Sequence, residues 1–111
     1  MVVNKDYFSA VGRRKEAVAR VRVMKGNGQI IVNGKAINEL FPGLIFQKAY
    51  QKPFEVTGSA SKYSASVKVY GGGVSSQIDA IVHGLSRALI LADAALRPSL
   101  KKEGLLTRDS R

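Results

Sequence analysis

The sequence contains no cysteine, which removes disulfides, thiolate metal sites and thiol nucleophiles and makes a reducing interior the expected compartment. Histidine occurs once, at His83, and a lone imidazole without clustered acids is a poor metal site and a poor start for a catalytic constellation. Acidic residues are scarce too: 8 Asp and Glu stand against 18 Lys and Arg, a net charge of +10. Such an excess repels itself in a folded domain unless a polyanion neutralises it, so nucleic acid is the first partner expected and an anionic membrane surface the second. Long hydrophobic runs are missing. The longest apolar-rich stretch, Ile78 to Leu96, is interrupted by Asp79, His83, Arg87 and Asp93 and cannot span hydrocarbon, so no membrane partner is expected. No apolar signal core precedes Gly12, and a cytoplasmic location follows as the expectation.

What remains is enough for one folded domain. At 111 residues, 45% hydrophobic and 23% charged, the chain can bury roughly 65% of its unfolded surface. Its charge is uneven. Residues 1 to 35 hold eight Lys and Arg against Asp6 and Glu16, whereas residues 36 to 70 and 71 to 111 each carry an excess of only +2. The densest point is Gly12-Arg13-Arg14-Lys15, which reads as an exposed turn between two strands. From Glu16 to Lys25 the pattern alternates with period two: Ala17, Ala19, Val21 and Val23 share one face, and Arg20 and Arg22 project from the other. A basic triplet alone is often just a solvated turn, but neighbouring arginines on a strand favour phosphate, whose oxygens fit the guanidinium fork.

Turn signals organise the rest. Tyr7 to Val11 reads as a first strand, Gly26-Asn27-Gly28 as a turn, Gln29 to Val32 as a strand and Asn33-Gly34 as a tight hairpin. Asn38 is expected to cap a short helical turn through Phe41, and Leu44 to Gln51 to form a second short helix closed by Pro53, with Leu44, Ile45 and Lys48 at helical spacing. Phe41, Phe46, Tyr50 and Phe54 read as core rather than as platforms for bases. Tyr63 to Tyr70 alternates as a strand, and a helix from Ser76 to Arg97 carries Ile78, Ile81, Val82, Leu85, Leu89, Ala92 and Leu96 on one stripe. Ser76 is the expected N-cap with Asp79 completing a capping box, and Arg97-Pro98 the stop. The expected organisation is a globular domain over residues 1–98 and a basic extension over 99–111, docked by a few leucines. The fold class is α+β, a single sheet with helices packed on it.

Between the last strand and the long helix lies Gly71-Gly72-Gly73-Val74-Ser75-Ser76-Gln77. Glycines let backbone approach an anion, and the amides and positive dipole end at a helix start favour phosphate there. Either an RNA phosphate or a nucleotide satisfies that geometry. The spacing fits neither the P-loop, which needs Lys then Ser or Thr, nor the dinucleotide fingerprint with its spread glycines. Gly73-Val74-Ser75-Ser76 faintly resembles the phosphate loop of a family of small-molecule kinases, so a nucleotide-binding, kinase-like domain stands as the alternative.

A wider resemblance runs through the chain. Gly71-Gly72-Gly73, Gln77, Ala80, His83-Gly84 and Ser86-Arg87-Ala88-Leu89 resemble the signature of the bacterial ribosomal protein S-nine family. Gly12-Arg13-Arg14-Lys15 with Ala17 to Val21, Asn33-Gly34, Phe41-Pro42, Pro53-Phe54, and Leu96-Arg97-Pro98 through Gly104 to Asp109 match it in order. The resemblance implies a structural constituent of the small-subunit head in the cytoplasmic ribosome, bound to 16S-type ribosomal RNA and to neighbouring head proteins. It also implies the fold of the second domain of ribosomal protein S-five, with its left-handed crossover, a scaffold shared with those kinases without shared activity. The residues expected to touch RNA are Arg13, Arg14, Lys15, Arg20, Arg22, Gly71, Gly72, Gly73, Ser75, Gln77, Arg87, Arg97, Lys101, Lys102, Arg108 and Arg111. No catalytic residue, metal ligand or cofactor is expected. Family members continue past the Arg108-Asp109 region into a long basic tail approaching the peptidyl-site transfer RNA, so that contact is expected only where such a tail follows Arg111.

Overall fold

In the computed structural model, which describes residues 7–58 and 62–102, alternating small and β-branched residues build a hairpin from β1 (Tyr7–Arg14) and β2 (Ala17–Lys25). Arg14 pairs with Ala17, leaving Lys15-Glu16 as a two-residue loop. The expected basic turn is therefore shorter than its sequence suggests. Arg13 and Arg14 complete β1, because pairing with Val18 and Ala17 satisfies their backbone groups, and only Lys15 enters the turn, with φ 56. A second hairpin joins β3 (Ile30–Val32) to β4 (Lys35–Ala36) through Asn33-Gly34, whose φ values of 50 and 86 are those of the type I′ turn this dipeptide favours. The Asn33 side chain does a second job. Its Nδ2 donates to the Val69 carbonyl at 3.2 Å and its Oδ1 accepts from the Val69 amide at 3.0 Å, prolonging the ladder past the end of β3.

That ladder belongs to β5 (Tyr63–Tyr70), which pairs antiparallel with β2 and parallel with β3, giving the order β1-β2-β5-β3-β4. A parallel pair needs a crossover, supplied here by α1 (Ile37–Leu40) and α2 (Leu44–Thr57). Asn38 does not cap α1. Ala36 holds that position without a side-chain bond, because the helix starts where β4 ends, as Ile37 turns into the core. Pro53 does not close α2 either. It lies inside the helix, buried on the same face as Tyr50 and Phe54; burial against the core offsets the backbone hydrogen bond that proline cannot donate, and Thr57 Oγ1 donates to the Pro53 carbonyl at 2.9 Å. The helix ends at the left-handed Gly58. Leu44 and Ile45 face outward, 65% and 83% exposed, whereas the expected aromatic core forms: Phe41, Tyr50 and Phe54 are buried, and Phe46 meets Phe41 edge to face at 6.3 Å.

One long helix, α3 (Val74–Ala92), covers one face of the sheet. Ile78, Ile81, Leu85 and Leu89 sit against Ala17, Ala19, Val21, Val23, Ala65 and Val67 in a single core, each large side chain contributing about 1.5–3 kcal/mol by burial. Helix and edge strand touch where both lack side chains: a Cβ on Gly12 would stand on the Ala80 carbonyl and the Gly84 amide, and one on Gly84 would meet Val21. The helix begins two residues before the expected Ser76 cap, with Gly73 as its N-cap, and Asp79 pairs with Arg14 instead of completing a capping box. It ends at Asp93, whose carboxylate accepts from the Ala95 amide at 3.0 Å and opens a 3-10 turn, Ala94–Leu96. Arg97-Pro98 is not a stop. It starts α4 (Arg97–Lys102), since proline is tolerated in a first turn whose amides have no intrahelical partner. Leu100 is fully buried and α4 packs on α2, so the chain remains part of the domain through Lys102. The rest of the expected 99–111 extension, including Arg108 and Arg111, lies outside the described residues. The architecture is α+β, one mixed five-stranded sheet with helices packed on it.

Candidate nucleic-acid interface

Strand alternation leaves the other face of the sheet open. Opposite the buried Ala19, Val21 and Val23, β2 presents Val18, Arg20, Arg22 and Met24. The pairing register sets Arg13 of β1 against Val18, and Lys68 and Ser66 of β5 against Arg20 and Arg22. Arg13, Arg20, Arg22 and Lys68 are exposed cations on this face, and among the described residues no carboxylate shares it. Arg22 lies over the Tyr7 ring, its guanidinium carbon 4.8 Å from the ring centre, a contact that steers the fork along the sheet. Lys68, Tyr7 and the 55% exposed Tyr70 were not singled out from the sequence. The alternation of β5 already put Lys68 and Tyr70 on one side of that strand. What the sequence could not supply was the pairing that sets them beside the arginines of β2.

At the end of the sheet the glycine loop leans on the β1–β2 turn. Gly71 and Gly72 have φ values of 75 and 67; a Cβ on Gly71 would run into the Glu16 carbonyl, and one on Gly72 would crowd Ala17. Both are needed for shape and packing. Gly73 differs, with φ −100 and open space where a Cβ would stand. Gln77 fastens the loop: its Nε2 donates to the Gly71 carbonyl at 3.1 Å, and its amide to the Gly73 carbonyl at 2.9 Å. This brings Lys15, Gly73 and the exposed Ser75 to the same end of the molecule, beside Tyr70, with the first amides of α3 turned outward for want of intrahelical acceptors. Arg14 is drawn away. It sits on the helix-covered side, its Nε 3.3 Å from Asp79 Oδ2.

The remaining expected residues divide between two places. Arg87 donates from Nη1 to the Val11 carbonyl at 2.7 Å, bonding α3 to the outer edge of β1, and borders a groove together with Arg97. Lys101 and Lys102 are exposed at the end of α4, within the helical layer and away from the open sheet face. Among the described residues no cluster of three or more His, Asp or Glu side chains could hold a metal, and no helix is long and apolar enough to cross a membrane.

Comparison with known proteins gives this geometry its context. The profile of the family described as ribosomal protein S9/S16 matches residues 12–111. The chain is 49% identical over 111 residues to the small ribosomal subunit protein uS9 of Dehalococcoides mccartyi strain BAV1, covering 100% of this chain and 84% of that protein. It is 48% identical over 109 residues to the protein of the same name from Maridesulfovibrio salexigens, covering 98% of this chain and 84% of the relative. The match runs without a break from Gly12, near the end of β1, through β2, the glycine loop and α3, and with identity near one half along the chain the protein belongs to the ribosomal protein S9 family.

Proposed function

We propose that the protein is a structural constituent of the small ribosomal subunit head, holding folded small-subunit ribosomal RNA through its phosphates and working in the cytoplasm as part of the ribosome. Family membership supports the ribosomal setting, with ribosomal RNA and other ribosomal proteins as partners. The observation that carries the RNA surface is the open sheet face, where Arg13, Arg20, Arg22 and Lys68 stand without a carboxylate among the described residues. Backbone phosphates meet such a surface without regard to base identity, so shape is read rather than sequence. The glycine loop extends the surface, with Lys15, Gly73 and Ser75 receiving a phosphate that leaves the sheet near Tyr70. Gln77 supports the loop from behind. Arg87, Arg97, Lys101 and Lys102 serve RNA or protein neighbours on the helical side. Contact with peptidyl-site transfer RNA is assigned to none of the described residues.

Salt titration tests the reading. Binding to small-subunit head RNA should weaken linearly with log salt, the slope being about −0.7 to −0.9 per neutralised phosphate. Replacing Arg20, Arg22 and Lys68 together by Gln should flatten it by about two to three units. An unchanged slope in that variant removes the sheet face from the interface.

A further inference from the structure

Beside the outer edge of β1 a groove of about 480 Å³ runs between that strand, α3 and the start of α4. Its apolar lining is Ala10, Ile90 and Leu91. Leu91 is 56% exposed near the end of a helix whose other leucines are fully buried, so the groove is where an otherwise unexplained apolar surface faces solvent. His83, Arg87 and Arg97 line the same space, and among the described residues no carboxylate does. Arg87 is fixed by its bond to the Val11 carbonyl, which orients the guanidinium while its remaining N–H groups can serve a second acceptor. Ser9 forms the rim and pairs across the hairpin with Arg22, so the groove opens directly onto the cationic sheet face.

We propose that this groove receives one unpaired nucleotide of the bound RNA, its base against Ile90 and Leu91 and its phosphate between Arg87 and Arg97. The volume lies within the usual range for a small-ligand cleft. Apolar side chains beside two guanidinium groups, that of Arg87 held by its bond to Val11, suit a flat base that carries its own anion, and a strand crossing the sheet face reaches the groove by turning around the edge of β1. Unpaired bases are the part of folded RNA free to leave the helix in this way. The inference rests on the RNA-binding reading above and deepens it, naming an unpaired nucleotide as what Arg87 and Arg97 hold.

The test compares two short hairpin RNAs, one fully paired and one with a single bulged adenosine, binding to the full chain and to its Leu91→Asn and Leu91→Asp variants. Leu91 is exposed, so both variants should keep the wild-type fold and melting behaviour. The wild type should prefer the bulged hairpin by about tenfold, the scale of burying one base. Both variants should lose the preference while binding the paired hairpin as before, and agreement between the neutral and acidic replacements excludes simple repulsion. Equal binding of the two hairpins by the wild type, or a preference that survives both substitutions, overturns the groove and leaves the sheet-face reading standing. Failure to bind either hairpin defeats both.

Discussion

Arg20 and Lys68 stand directly opposite each other across β2 and β5, two like charges at one rung of the sheet. A cross-strand pair of this kind opposes folding by about 0.2–1 kcal/mol, and no carboxylate among the described residues of that face offsets it. Lys68→Gln should therefore raise the stability of the free protein by up to about 1 kcal/mol in urea unfolding. The same change should weaken RNA binding and lower the salt slope by about 0.7–0.9. A variant that is both less stable and equally tight on RNA would deny the pair its electrostatic role.

The approach of Gly12 to Gly84 makes a different demand. A methyl group at Gly12 would meet the Ala80 carbonyl and Gly84 amide, backbone atoms that cannot rotate aside. Gly12→Ala should cost about 1–3 kcal/mol or more by forcing α3 off the edge strand. Urea unfolding reads the loss, and retention of wild-type stability would mean the two elements can separate freely.

Period and turn chemistry made much of this fold legible. β2 and β5 follow their alternation almost residue for residue, and Asn33-Gly34 forms the turn its dipeptide favours. The misreadings share a physical cause: a tertiary contact outweighed a local signal. Burial kept Pro53 inside α2, pairing drew Arg13 and Arg14 into β1, and α3 started from Gly73, which put Asp79 beyond capping range and beside Arg14. At the interface, Arg20 and Arg22 could be read from alternation, but Lys68 and Tyr70 join them only through a strand order that no local pattern encodes.

The three consecutive glycines should separate under substitution. Gly71→Ala puts a side chain at φ 75 and against the Glu16 carbonyl, so it should cost about 1–3 kcal/mol of stability. Gly73 has an ordinary φ and open space, so Gly73→Ala should change stability by less than about 1 kcal/mol. It should nevertheless weaken RNA binding, because its methyl group stands where a phosphate would approach the first amides of α3. Equal effects of the two substitutions on folding would contradict the division of roles.

Burial pushes the Tyr50 hydroxyl above its ordinary value of 10.0, favouring the neutral form in the folded state. The sign follows directly. The stabilising contribution is fully present below pH 10.0, the unfolded value, and is lost as pH rises through the folded one. Urea midpoints of the protein should therefore fall more steeply above pH 10 than those of Tyr50→Phe. Parallel profiles would show that another group governs the alkaline loss.

Arg13 and Arg14 are neighbours in sequence, yet the pleat sends them to opposite faces. Arg13 joins Arg20, Arg22 and Lys68 on the open face, whereas Arg14 meets Asp79 on the helix side. Their ion pair is half exposed and is worth no more than about 1 kcal/mol. Arg14→Gln should accordingly lower stability by that small amount and leave the salt slope of RNA binding close to wild type. Arg13→Gln should leave stability unchanged within about 0.5 kcal/mol. Its effect should fall on RNA, flattening the slope by about 0.7–0.9 for the one phosphate released. Measuring the two variants side by side is stricter than removing the basic triplet as a block, since a block replacement cannot tell a phosphate contact from a bond that holds α3 to the hairpin. Should Arg14→Gln flatten the slope as much as Arg13→Gln, RNA would have to displace Asp79 and reach the helix-covered side, and the open sheet face would no longer account for the interface.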